Sequence, residues 1–457
     1  MFDSFFQQEL RLAGISLGGS LKRGILRLED RTISARPMPY SNVLTLALAA
    51  LFSILPSLAA EPRVWTTRQL TNVTGTLTKT SEADVTLLSQ EKREGRVKIA
   101  DLSLADREHL VEQGQAKEKI LSIGPVGVPE KECRIDSRSF KDLPQKLALG
   151  NEDSAATFDQ LQTDHFLVVH VGRARPQVIA EIAERLWHGM AFQHSHFRRD
   201  WGTLRRLIIV CDDEDAYEAL GRWYFKHLES QAVGQDGQER VRSEKATWKV
   251  AVGRSISLPA ELQKREKLHP EATVFNAKDR DYRKVFSPFP TNTLAGDLLR
   301  QQIGAPTTSG PKGRFAIATG HAFFKEIHLA ERTETHLLDT EGSLDEMVTK
   351  AGFDDGTGWA RLLKAGVKKG TIKPDLAELL ETEMESLTPE RLVLMFSFAY
   401  YCHSTPERLL AYARLVARLE PNKAVPNPDE IARVFGFDSA GAMEDDWIGF
   451  IKSREFN

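Results

Sequence analysis

Apolar positions change their spacing three times along this chain. From 61 to about 114 they alternate with Thr and other polar residues in short runs, 73–80, 83–89 and 95–99, punctuated by Gly75 and Gly95. That is the period of half-buried strands. A short helix follows. Ser103 stands at its N-cap and Asp106 at its third position, a capping-box-like start. From Asp164 the rhythm is that of an α/β unit. Continuous apolar runs at 165–171 and 207–211 predict buried strands, and strands are also predicted at 248–252 and 272–276. Between them, 176–194 places Ile179, Ile182, Ala183, Leu186 and Met190 on one helix face. Asp212 or Asp213 caps a helix through Tyr217, Leu220 and Tyr224. The stretch 286–290 reads as irregular and 293–302 as helix. A short strand at 315–318 and a helix running to about Leu338 come next. Beyond Leu338 only helices are predicted, at 358–365, 374–385, 389–401, 406–419, 428–435 and 440–451, several with Pro in the first turn where it is tolerated.

Residues 115–162 are mixed in character and read as a linker. At the other end, 37–60 carries no charge and closes on small residues before Glu61. This predicts an export signal cleaved near 60, or a retained anchor flanked by Lys22, Arg23, Arg27, Arg31 and Arg36. Met38 is an alternative start, which would leave 1–37 as an untranslated or disordered upstream segment. Signal or anchor, the rest of the chain is expected outside the cytoplasm, on the membrane only if the segment is retained; a buried core helix is the third reading of 37–60 and carries no such implication.

The full chain has 457 residues, 41% hydrophobic and 27% charged, with a net charge of −3. It is long enough for several globular domains and lacks the basic balance of a nucleic-acid binder. Its cysteines, at 133, 211 and 402, form no Cys-x-x-Cys, which excludes a thiolate zinc site.

The opening Arg63-Val64-Trp65-Thr66 and the closing Asp101-Leu102-Ser103-Leu104-Ala105-Asp106-Arg107 resemble the two ends of the Sla-one homology domain. The resemblance implies a small SH3-like β-barrel over 61–114 that binds peptides or proteins. Farther on, Arg332-Thr333-Glu334-Thr335-His336 stands where a gluzincin peptidase carries His-Glu-x-x-His, and Asp355-Gly356 where it carries its downstream Glu-Gly. The chain over 163–457 thus resembles a gluzincin-like α+β domain, with a mixed sheet and an all-helical C-terminal part. His336 matches the second metal histidine, Arg332 replaces the first and Thr333 replaces the general base. A guanidinium repels a divalent cation, and Thr is no base near neutral pH. The resemblance therefore implies a degenerate site at Arg332, Thr333, His336 and Asp355, with no catalytic residue and zinc unlikely. An Arg332–Asp355 ion pair would fill the metal's place.

Other chemistry is thin. His321, His328 and Glu331, with His336, are further metal candidates if they share a helix face, against a solvated charged face. His194-Ser195-His196 has the donors to chelate a metal but reads as surface charge, and Arg198, Arg199, Arg205 and Arg206 form a basic patch suited to an anionic partner but too short for nucleic acid. The Gly-rich stretch at 308–313 departs from the phosphate-loop pattern. The expected function is an exported, non-catalytic protein- or peptide-binding scaffold with a pseudo-peptidase domain and no cofactor. The alternative is a zinc-dependent metallopeptidase with an altered ligand set.

Overall fold

The computed structural model describes residues 62–69, 72–115, 120, 128–150, 156–194, 197, 204–249, 251–278, 282–303, 313–335, 356–419 and 425–457. The uncharged segment 37–60 lies outside them, and so do His336 and Asp355. Residues 61–457 form one compact unit.

The first module is a four-stranded antiparallel sheet in sequential order. Its strands are β1 (Arg63–Thr66), β2 (Asn72–Thr80), β3 (Asp84–Leu88) and β4 (Glu94–Lys98), and α1 (Leu104–Glu112) follows. Trp65, Val85, Leu87, Ile99, Leu102 and Leu110 make its core. The two ends of the module are stapled through one carboxylate. Asp106 accepts from Arg63 at 2.6 Å, from the Thr66 N–H at 2.8 Å and from the Ser103 hydroxyl at 2.7 Å, while Ser103 caps the helix as expected. Arg107 is buried too, donating to the carbonyls of Leu102 and Ala100. The opening and closing motifs are thus the module's internal clamp.

The second sheet is mixed and six-stranded, in the order β5-β6-β7-β8-β10-β9. Two of its strands, β5 (Lys141–Leu149) and β6 (Ala156–Gln162), come from the stretch expected as a linker. Alternation in β6 (Ala156 and Phe158 buried, Thr157 and Asp159 exposed) is a half-buried strand signal of only a few residues. The centre is parallel: β7 (Phe166–Val171), β8 (Arg205–Cys211) and β10 (Leu268–Asn276). Both faces are covered, so these strands read as continuous apolar runs. Val168, Ile208, Val210 and Phe275 face one core. Leu167, Val169, Leu207, Ile209 and Val274 face the other.

The second core is closed by α3 (Glu214–Gln231) and α4 (Gly234–Thr247), then β9 (Gly253–Ser257) and α5 (Ala260–Glu266). Asp213 caps α3. The run 248–252 is not the strand expected. Trp248 ends α4 and stacks on Tyr217 with ring centroids 4.9 Å apart, and the edge strand starts only at Gly253.

The larger core holds α2 (Pro176–Gln193), α6 (Pro288–Ile303) and α7 (Arg314–Ala330), followed by α8 (Gly356–Lys369), α9 (Leu376–Glu381), α10 (Pro389–Cys402), α11 (Pro406–Arg418), α12 (Pro428–Val434) and α13 (Ala440–Lys452). The last four of these helices match the predicted ones closely, because Thr388, Thr405, Asn427 and Ser439 cap them with side-chain oxygens, whereas the helix expected at 374–385 is confined to Leu376–Glu381. Two corrections fall on α7. Residues 315–318 are its first turn rather than a strand, since an apolar run buried all round carries no period. The helix also stops at Ala330, where Glu331 turns left-handed (φ 63°), well short of Leu338. Gly320 lets α7 lie against α10: a Cβ there would sit 2.3 Å from the Met395 carbonyl oxygen.

Candidate metal site

The end of α7 removes the helical frame expected for residues 332–335. Arg332 is exposed and pairs with Glu334 at 2.6 Å. Thr333 accepts from the Thr335 N–H. Glu331, at the helix cap, pairs with Lys131 at 3.2 Å on the surface. His336 and Asp355, the other two positions, lie outside the described residues. His328 is partly buried, its Nδ1 bonded to the Phe324 carbonyl at 2.9 Å and its ring against Tyr400. Burial pushes it down to about 4. The face carrying His321 and His328 is therefore packed, not solvated. Of the metal candidates proposed from sequence, His321 alone meets other described histidines.

Those partners are His194 and His403. One ring nitrogen from each of the three lies within 4.8 Å of the others. All three side chains are buried, at 1%, 0% and 6% exposure for His194, His321 and His403. His194 terminates α2 and His403 terminates α10, each with its backbone N–H on a last-turn carbonyl. Two helix C-termini, where carbonyl dipoles concentrate negative potential, thus converge on one point. His321 reaches it from the middle of α7. Tyr412 of α11 stands beside the three rings, 5.1 Å from His403 and 5.6 Å from His194 between centroids. His194 is thus not the surface charge expected. Arg206 is buried as well, paired with Asp297 at 3.1 Å under the sheet.

Most polar atoms of this cluster lack hydrogen-bond partners among the described residues. Within that set, neither ring nitrogen of His194 or His321 makes a hydrogen bond, nor does Nε2 of His403, nor the Tyr412 hydroxyl. Each orphaned buried polar group costs about 1–3 kcal/mol. His403 Nδ1 faces the Ala399 carbonyl at 2.7 Å, so Nδ1 carries the proton and Nε2 keeps its lone pair. That backbone contact is how a metal-binding imidazole is usually oriented. Burial first, then the nearby Lys325 cation, holds His194 down at about 3 and keeps His321 and His403 well below the usual histidine range. All three are neutral at pH 7, the form that binds metal.

Lys325 lies one turn beyond His321 and is wholly buried. It donates to Glu130 at 2.6 Å and to the Gln193 side chain, next to His194. Glu130 arrives from a short turn at Pro129–Lys131 and enters over α2 at Gly189, where a Cβ would lie 2.0 Å from its Oε1. The Glu130 carboxylate offsets the Lys325 charge beside the triad.

Comparison with family models, with curated proteins and with solved structures finds no match. The site's meaning rests on its own geometry. Sequence patterns pointed to His321 but not to His194, His403 or Tyr412, which lie far apart in the chain. The available signal was positional: His194 and His403 each stand at the C-terminal end of a helix that the sequence predicts.

One further carboxyl on α7 has a separate role. Glu326 is buried and accepts from Asn292 at 2.8 Å, from the Glu334 N–H at 2.8 Å, and from the Thr335 N–H and hydroxyl. It latches residues 333–335 to the helix end. Burial raises it to about 7 against the donors' opposing pull. The native state therefore holds a proton that the unfolded chain releases near 4.5. Its stabilising contribution is complete below that value and is lost as pH rises through about 7, a change of roughly 3 kcal/mol. Glu326→Gln cannot titrate. The difference in unfolding free energy between wild type and this variant is expected to change between pH 4.5 and 7 and to be flat on either side. A difference independent of pH would show that the carboxyl is not held protonated.

Proposed function

We propose that this chain is a non-hydrolytic binding protein whose large domain holds one divalent cation of the zinc class on His194, His321 and His403. The carrying observation is the sealed triad: three neutral, buried imidazoles converge, and five of their six ring nitrogens have no hydrogen-bond partner among the described residues. Imidazole sets suit zinc, copper, nickel and iron, and a neutral trio favours a divalent ion. Such an ion would join α2, α7 and α10. The site's enclosure argues against hydrolysis, since a catalytic zinc keeps an open position for water and substrate. The buried carboxyls Glu130 and Glu326 are committed to Lys325 and to the 333–335 latch. The cation is then structural.

The surface role is proposed from the first module. A Sla-one homology type of fold for 61–114 is supported by its motif residues forming one clamp around Asp106. In this reading the module offers a protein- or peptide-sized surface, and 38–60 exports the chain. A gluzincin-like origin of the large domain is supported by its order, a mixed sheet, then the His321 helix, then helices alone.

The test is metal content of the full-length chain purified without a chelating tag. About one equivalent that survives dialysis and is lost in His403→Gln supports the proposal. Less than about a tenth of an equivalent, with none taken up from added zinc or cobalt, sinks it.

A further inference from the structure

A second group of metal-ligating side chains lies elsewhere on α2, and it differs from the triad in being open to solvent. Glu184 and His188 are one helical turn apart, so they share a face. His165 joins them from the turn that precedes β7. One ligand atom from each lies within 4.8 Å of the others. His165 Nδ1 is 2.8 Å from Glu184 Oε2, and His188 Nε2 is 3.7 Å from the same oxygen. Ligands 2.0–2.2 Å from a tetrahedral zinc lie about 3.4 Å apart, so the measured separations bracket the required one.

Several features hold the group in this shape. The Glu184 side chain is buried (4% exposed), and its other oxygen accepts the His165 backbone N–H at 2.9 Å. Trp187 stacks on the His165 ring at 3.4 Å between centroids, which fixes its plane. Burial alone would raise the Glu184 carboxyl, but the His165 and Thr163 contacts outweigh it and leave it lowered and ionised. His165 and His188 keep 16% and 26% of their side chains exposed. A metal there would face water on its free side.

We infer that His165, Glu184 and His188 form a solvent-open site for an exchangeable divalent cation of the zinc class, with water or a small anion completing its coordination. Two imidazoles and a carboxylate are a ligand set that zinc accepts with one open position. The carboxylate neutralises part of the charge of the bound ion. The inference does not depend on the sealed triad, because the two groups share no residue.

Cobalt(II) titration of the full-length, chelator-treated protein tests it, followed by visible absorption. Wild type is expected to take up one ion beyond whatever the triad holds. In His188→Ala the uptake at this site weakens at least 100-fold, and in Glu184→Gln at least 10-fold, while His403→Gln leaves it unchanged. His188 is partly exposed, so its removal should leave the fold intact, which circular dichroism checks. A wild-type ion lost only in His188→Ala upholds this site even if the triad proves empty. An ion count and affinity identical in wild type and His188→Ala, or no ion beyond the one removed by His403→Gln, overturns it.

Discussion

Lys325→Met is expected to lower the unfolding free energy by about 3–5 kcal/mol, because it strands the Glu130 carboxylate in the interior. Both side chains of this pair are wholly buried and 2.6 Å apart. Their attraction is offset by the cost of removing two charges from water, so the net worth of the pair is small. Breaking it is another matter. Glu130 Oε2 already lacks a partner among the described residues, and without Lys325 its Oε1 loses the ammonium too. The Gln193 oxygen would be left without that donor as well. A compensated variant makes the argument checkable. Glu130→Leu with Lys325→Met removes both charges and should recover most of the loss, so the two changes are strongly non-additive. A chain of this size need not unfold in one step, so the rate of thermal inactivation should accompany denaturant midpoints. A cost below about 1 kcal/mol for Lys325→Met alone would mean that water reaches Glu130.

This pair also shows where sequence reading stops. Local signals served well wherever structure is locally determined. Ser103, Asp213, Thr388, Thr405 and Asn427 each announce a helix, and each is found capping one. The parallel strands were legible because burial on both faces leaves an unbroken apolar run. Failures came where distant residues decide. Trp248 looked like the start of a strand, yet it ends a helix because its indole fills the space above Gly221, where a Cβ would lie 2.5 Å from Nε1. Residues 115–162 looked like a linker, yet they supply two strands and Glu130. Nothing near Glu130 in the chain says that its partner is 195 residues away.

The same reasoning applies to the metal reading. A motif search sees ligands spaced along one helix, so it settled on 332–336. The triad is built instead from two helix ends and one helix middle, and only tertiary packing brings them together. Fit between α7 and α10 matters here. Gly320 allows the close approach that sets His321 beside His403, whose ring also stacks on Phe324 at 4.3 Å. A histidine in such packing is usually satisfied by a neighbouring carbonyl or side chain, as His328 is. Among the described residues His194 and His321 have no such neighbour, and that contrast within one helix layer favours an ion.

Withdrawing the metal is expected to destabilise the large domain by about 4 kcal/mol relative to protein kept in free zinc at a thousand times its dissociation constant. The loss should be local before it is global. The triad joins the end of α2 to α7 and to the corner between α10 and α11, so amide exchange should quicken around Met190–His194 and Ala399–Tyr412 after chelation. The first module has its own core and its own clamp at Asp106, so its exchange should hardly change. His403→Gln should reproduce the chelated pattern and remove any further response to zinc. Glu184→Gln, at the open site, should leave this response in place, which assigns the effect to the triad. If chelation changes neither stability nor exchange at these two helix ends, the three imidazoles hold no structural ion. Their orphaned nitrogens would then have to be met by buried water, and α2, α7 and α10 would be joined at this point by packing alone.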